Sequence, residues 1–311
     1  MTDFASAYHA PVMVAEVMEM LRPERGGLFL DGTLGGGGHA EALLTRGPEV
    51  RLIGVDRDPD ALAEAGKRLE RFGDRVRLVR SPFGQAVEAA GVAPGSLSGV
   101  LLDLGISSHQ IDEAGRGFTF REGAPLDMRM AQATADEPSA AELLNELDEA
   151  ELATLFWRYA EEKRSRMLAR VIVEMRGRAP FATSDHLLEA IGRAMPRADA
   201  GDRARIFQAL RIAVNREIEQ LEEALPAFRD ALAPGGVFAV MSYHSLEDRP
   251  VKNAFRDWSR ACTCPPGLPV CACGGVAMGE SITRKAVTAS PAEVAANVRA
   301  RSAKLRAWRH A

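Results

Sequence analysis

The chain has 311 residues, 46% of them hydrophobic and 26% charged, with a formal net charge of −4. That apolar content fills one large core or two smaller ones, and the charge excludes a polycation over the whole surface. No apolar run approaches the ~20 residues of a membrane span. All four cysteines fall within Cys262–Cys273, and Met1–Ala10 carries Asp3 without an apolar core. No disulfide framework and no secretory signal are therefore expected, and the expected location is cytoplasmic.

Tyr8-His9-Ala10-Pro11-Val12-Met13 leads into an apolar-patterned helix, Val14–Leu21, closed by Pro23 and Gly26-Gly27. Leu28, Phe29 and Leu30 are a short apolar run, as in a buried parallel strand. Asp31 ends the run, Gly35–Gly38 follow without a break, and Ala40–Leu44 reads as helix. Four glycines propagate neither element, but they admit a ligand where any Cβ would clash. Strand, glycine loop and helix together form the nucleotide-binding turn of a doubly wound sheet. Arg51–Val55 is the second strand, and Asp56 ends it 18 residues beyond Gly38, where such folds hold ribose hydroxyls.

Pro59 opens the next helix, filled by Ala61–Phe72. Val76–Val79 is strand three, followed by Ser81-Pro82-Phe83. From position alone Phe83 is either an apolar wall against an adenine or a core residue. Val87–Ala90 starts a short helix, and Gly99–Leu104 gives strand four with the exit loop Asp103–Gln110. This alternation predicts a parallel sheet with right-handed crossovers and a ligand at the carboxyl ends of its strands. Asp31 and Asp103 both reach that edge, where two carboxylates repel a diphosphate and attract a cation. S-adenosylmethionine carries a sulfonium and an ammonium and no phosphate, so a methyltransferase is favoured over an NAD-dependent dehydrogenase.

The alternation then stops. Gly115–Phe120 and Pro125–Met130 are irregular, and from Ala140 to about Arg193 the pattern is helical, with an apolar stripe of Val171, Ile172 and Met175. About ninety residues without a strand exceed any ordinary loop. Residues 111–202 are read as a helical domain inserted between two parts of the sheet domain, 1–110 and 203–311. Ile206, Leu210, Val214, Ile218, Leu221 and Leu225 predict one amphipathic helix. Pro234-Gly235-Gly236 turns into strand five, Val237–Met241, whose exit loop is Ser242–Ser245. Glu247–Trp258 is helical, and Ile282–Ala289 with Lys304–Arg309 forms the expected closing antiparallel pair. Charge is segregated along the chain. Arg158–Arg216 holds 13 Lys/Arg against 7 Asp/Glu, and Ser281–Ala311 holds 7 against 1. Two basic segments on an acidic body suggest localised contact with a polyanion such as RNA.

Several stretches resemble one family. They are Asp31-Gly32-Thr33 with Gly35–His39, Val55–Asp58, Leu101–Ser108, Arg116–Phe120, Pro125–Met130, Tyr243–Arg249 and Arg301–Arg306. Together they are similar to the 16S rRNA cytosine-N4 methyltransferases of the MraW, or RsmH, type, over His9 to Arg306. The resemblance implies a Rossmann-like class I S-adenosylmethionine-dependent methyltransferase sheet with an inserted all-helical substrate-recognition domain. It implies S-adenosyl-L-methionine as donor and a cytosine in the decoding region of 16S rRNA of the small ribosomal subunit as acceptor. The family's donor-binding positions fall on Gly37, Gly38, His39, Asp56, Phe83, Asp103 and Gln110. Departures are His109 and Val298 where proline is usual, and Ala131 in place of an acidic residue.

Cytosine N4 is a poor nucleophile, so the task is to align nitrogen and methyl and to accept hydrogen bonds from the amino group. Ser107, Ser108 and His244 are the substrate-side candidates, and no catalytic base is assigned or required. Attack at C5 would need a cysteine beside strand four, and none stands there. His39, at a helix start, is expected to position backbone or touch the donor. His244 either stacks on an unstacked cytosine or caps a tight loop. Cys262-Thr-Cys264 and Cys271-Ala-Cys273 are a candidate zinc set, but C-x-C is tighter than the usual C-x₂-C and no metal is assigned from spacing. Monomer and homodimer both remain open.

Overall fold

The computed structural model describes residues 11–131, 137–262, 264, 273 and 275–311. Tyr8, His9 and Cys271 lie outside them, and only the backbone of Ser108 is described. By internal contacts the chain divides into two units, the described residues up to Gly105 with Glu219–Ala311, and Ile106–Ile218.

The first unit is built on one sheet. Its strands are β1 (Gly27–Asp31), β2 (Val50–Asp56), β3 (Val76–Arg80), β4 (Leu97–Asp103), β5 (Leu232–Ser242), β6 (Gly279–Ser281), β7 (Val287–Thr288) and β8 (Lys304–His310). The order is β3-β2-β1-β4-β5-β8-β6, with β7 also paired to β8. The first five strands run parallel, and β8 is antiparallel to β5, β6 and β7. This is the Rossmann-like parallel sheet expected from the sequence, extended at one edge by antiparallel strands. Both faces are covered, so the central strands are apolar throughout and successive residues enter opposite cores. Phe29, Leu52, Leu101 and Ala239 belong to one core, with Val17, Leu21, Leu43 and Leu69 from the helices α1 (Val14–Leu21), α2 (Gly38–Arg46) and α3 (Pro59–Leu69). Leu30, Ile53, Val100 and Phe238 belong to the other, with Leu225, Phe228, Val251 and Phe255.

Two local expectations are corrected. The segment Ile282–Ala289 is not one strand. It contributes only β7, while β6 precedes it, because Ile282 and Thr283 both donate to the single carbonyl of Ala307 (2.9 and 3.3 Å) and the ladder cannot advance there. The helix expected through Ile206–Leu225 is two helices, Ala200–Asn215 and Glu217–Ala231. Arg216 sits between them at φ 50°, a left-handed turn that ends the first helix while the apolar period runs on unbroken.

The second unit is helical, with Ala140–Glu146, Glu149–Ala160, Ser165–Arg176, Ser184–Ala194 and Ala200–Asn215. Reciprocal caps start three of these, Ser139 with Glu142, Asp148 with Glu151, and Asp199 with Asp202. Its core gathers Leu144, Leu152, Phe156, Leu168, Ile172, Leu187, Ile191 and Leu210. The Pro125–Met130 motif is a strap on this core. Leu126 and Met128 are buried, Asn215 Nδ2 donates to the Met128 carbonyl (2.8 Å), and Met130 N–H donates to Asn215 Oδ1 (2.9 Å). No helix among the described residues is long and apolar enough to cross a membrane.

Candidate active site

The carboxyl ends of β1, β2, β4 and β5 are drawn together by bonds that continue the sheet past its strands. Gly32 N–H donates to Leu101 O, Leu34 N–H to Val55 O, and Leu104 N–H to Met241 O, all at 2.9–3.0 Å. Three aspartates therefore meet at one edge. Asp31 is 1% exposed, and its Oδ1 accepts from Thr33 N–H at 3.1 Å. Burial pushes its carboxyl up to about 8, and the neighbouring charges of Asp103 and Asp56 add to the rise, against the Thr33 hydrogen bond. Asp56 is pushed up to about 6, again by burial, while N–H bonds from Asp58 and Gly35 hold it from rising further. Burial also raises Asp103, opposed by His39 and by the Tyr243 hydroxyl.

The glycine loop lies against Asp56. Gly35 N–H donates to Asp56 Oδ2 and Asp58 N–H to Asp56 Oδ1, both at 2.8 Å. Gly37 has φ 76° and serves as N-cap of α2, a conformation that costs glycine nothing. Gly35 has φ 52°, and a Cβ built there would meet nothing within 4 Å, so this face of the loop is open. Gly38 is the first residue of α2. His39, 5% exposed, points back from that helix. Its Nε2 donates to the Val12 carbonyl (2.8 Å), which leaves Nδ1 facing Asp103 Oδ2 at 3.8 Å. His39 thus holds the segment before α1 against the end of β4.

Asp103 is the most heavily buttressed of the three. Its N–H donates to Thr33 Oγ1, and its Oδ1 accepts from the Tyr243 hydroxyl at 2.8 Å. Tyr243 comes from the exit of β5, 140 residues away in sequence, and burial raises its own hydroxyl pKa, helped by Asp103. Glu247, 2% exposed, accepts from Tyr243 N–H (2.9 Å), and its other oxygen lies 3.0 Å from His244 Nε2. His244 takes the N-cap position of the helix Ser245–Trp258, but its ring makes no capping bond. Phe83 opens a short turn after β3, half-buried and packed by one side against the core of Leu30, Val55 and Val100.

Gly37, Gly38, His39, Asp56, Phe83, Asp103 and His244 all belong to the sheet unit. Ser107, Ser108 and Gln110 belong to the other unit. There Ser107 Oγ accepts from Gln110 N–H (3.2 Å) and Gln110 Oε1 accepts from Ser107 N–H (3.0 Å), a capping box on the short helix Ser108–Asp112. Sequence reasoning missed Thr33, Tyr243 and Glu247. Thr33 was findable as the residue two beyond Asp31, and Tyr243 as the first residue after a strand ending at the ligand edge.

This acid-lined, glycine-backed edge matches what comparison with known proteins finds. The sequence profile described as "MraW methylase family" matches residues 6–311. A protein of Gemmatimonas aurantiaca named ribosomal RNA small subunit methyltransferase H is 55% identical, over 98% of this chain and 96% of its own length. Proteins of the same name from Heliobacterium mobile and Heliobacterium modesticaldum are 52% and 50% identical, each over 96% of this chain and 97% of their own. The chain belongs to the MraW methylase family, whose methyl donor is S-adenosylmethionine.

Proposed function

We propose that this protein methylates the exocyclic N4 of a cytosine in the decoding region of small-subunit ribosomal RNA. One observation carries the donor half of the reading, the buried carboxylate of Asp31 with the half-buried ones of Asp56 and Asp103 at the strand ends beside an open glycine loop. Raised carboxyl pKa values mean that the folded chain holds negative charge there at a cost, which a cation offsets. The residues therefore fit S-adenosylmethionine, which when bound supplies an electrophilic methyl on its sulfonium. Asp56, at the end of β2, is assigned to the ribose hydroxyls. Gly35 leaves its face of the loop open to the ligand, while Gly37 and Gly38, whose missing Cβ atoms face Ala65 and Pro11, are retained as donor-side positions on the family pattern; Phe83 offers its exposed side to the adenine, and His39 holds Asp103 in place. Gln110 is retained as a donor-side position on the family pattern alone.

The acceptor half rests on the relatives' names and on the chemistry of this chain. No cysteine precedes Cys262, so attack through a covalent C5 adduct lacks a nucleophile near β4. Transfer to an amino nitrogen needs alignment and acceptors, and the alkylated nitrogen sheds its proton readily, so no general base is assigned. Ser107, Ser108 and His244 remain the substrate-side candidates. The second unit is assigned to RNA recognition. Its helices Glu149–Ala160 and Ser165–Arg176 border a groove of about 690 Å³, lined by Trp157, Lys163, Arg166 and Arg170 with Glu149. Trp157 is 61% exposed, a cost in water that a stacked base removes, and the cations match a phosphate backbone. The ribosomal substrate implies a cytoplasmic site of action.

The test is methyl transfer from labelled donor to small ribosomal subunits lacking the modification, with the product nucleoside identified by mass spectrometry. N4-methylcytidine is expected. Label in 5-methylcytidine, or in an oxygen-methylated nucleoside, overturns the N4 assignment, and no transfer to either subunits or their RNA overturns the activity.

A further inference from the structure

Between the helix Ser245–Trp258 and β6 the described residues are 259–262, 264, 273 and 275–278. Among them none is in a helix or strand, and Val276 and Met278 are 84% and 49% exposed. With no strand, helix or buried apolar side chain among its described residues, this connection needs another source of order. Its base is closed, since Met278 N–H donates to Trp258 O at 2.9 Å and Ala311 N–H donates to Met278 O at 2.9 Å. Its two arms also approach closely. A Cβ on Gly275 would collide with the Ala261 carbonyl and touch Cys273 Sγ at 3.5 Å.

The cysteines sit where those arms meet. Cys262, Cys264 and Cys273 place their sulfurs within 4.8 Å of one another, and Cys262 Sγ and Cys273 Sγ are 3.8 Å apart. That separation is far from a disulfide bond of about 2.05 Å. It equals the edge of a tetrahedron of sulfurs around zinc, about 3.8 Å for Zn–S bonds of about 2.3 Å. Cys262 and Cys264 on one arm and Cys273 on the other supply three thiolates, and soft thiolates select zinc over hard cations. We propose that Cys262, Cys264 and Cys273 hold a structural zinc ion that staples the two arms of this connection together. No oxidant is involved. Binding releases the thiol protons and leaves the metal at constant valence.

The experiment uses the full chain, purified without a polyhistidine tag and in reducing buffer. After exposure to excess zinc and removal of loose metal, about one zinc per chain is expected. Titration with a mercurial reagent should release it in step with modification of the cysteine thiols. Cobalt loading should give thiolate-to-cobalt charge-transfer absorption with the intensity of a tetrahedral site. Cys262→Ser with Cys273→Ser should lose the zinc and the cobalt spectrum while keeping S-adenosylmethionine binding, which shows that the sheet unit still folds. The proposal is overturned if the reconstituted protein holds less than about 0.1 zinc per chain. It is equally overturned if the double variant keeps its metal, or if the thiols count as disulfides under reducing conditions.

Discussion

Binding of the methyl donor should expel a proton from Asp31. With its carboxyl raised to about 8, Asp31 holds about 0.9 proton at pH 7 in the free protein. A positive charge brought within ~4–6 Å lowers a carboxyl pKa by 1–3 units. A fall of about two units leaves about 0.1 proton at pH 7, so about 0.8 proton is released per donor bound. The linked affinity change is about 25-fold between pH 6 and pH 8, tighter at high pH. Titration calorimetry at pH 7 in buffers of different ionisation enthalpy reads the released proton directly. The donor's own amino group titrates near 8, so the comparison that decides is with Asp31→Asn, whose amide oxygen still accepts from Thr33 N–H. In that variant the extra proton release and the rise in affinity should vanish. The same substitution reports on stability. A raised carboxyl pKa contributes stability that is full below the unfolded value of 3.8 and lost as pH climbs through about 8. Relative to Asp31→Asn, the parent protein should therefore lose on the order of 4 kcal/mol between pH 5 and pH 8.5 in denaturant melts. Equal proton release by parent and variant, with parallel stability curves, refutes a neutral buried Asp31 that a cation ionises.

Four other outcomes follow from the same geometry. Asp56→Ala removes the ribose acceptor and should weaken donor binding 10- to 100-fold by calorimetry, at about 1.5–3 kcal/mol for hydrogen bonds to a charged group; unchanged affinity refutes the ribose role. Gly35→Ala adds a methyl with no protein neighbour, at φ 52°. It should cost only about 1–2 kcal/mol of stability but more than tenfold in donor affinity, and a folded variant within twofold of the parent shows that the loop does not cradle the ligand. Tyr243→Phe deprives Asp103 of its 2.8 Å donor; urea melts should show a loss of about 1–2 kcal/mol, and an unchanged melt removes Tyr243 from the account. Trp157→Ala with Arg166→Ala should weaken small-subunit RNA binding about tenfold and flatten its salt dependence by about one charge, with donor affinity intact; an unaltered salt slope places the RNA elsewhere.

The parallel sheet was legible in the sequence because β1, β2 and β4 are apolar runs that end at Asp31, Asp56 and Asp103, with residues buried on both faces. The break at Arg216 was not, since Ile206, Leu210, Val214, Ile218 and Leu221 keep helical spacing across a residue that has turned left-handed. Apolar period reports which face is buried and carries no information about a single reversed dihedral. The edge aspartates were legible one by one, whereas their buttressing was not. Tyr243 reaches Asp103 across 140 residues, and His39 reaches Val12 across 27; contacts of that kind exist only once the strand order is known. Ser107 and Gln110 are the opposite case. Their three-residue spacing before a helix is the capping-box pattern, a local signal that the functional reading of both residues passed over.

The most direct measurement is a crystal structure of the protein grown with S-adenosylmethionine. The account predicts the ribose hydroxyls on Asp56, the ligand against Gly35–Gly38, and its charged end toward Asp31 and Asp103. Donor density at any other place on the sheet unit, or at the expected place with Asp56 making no ribose contact, would contradict it.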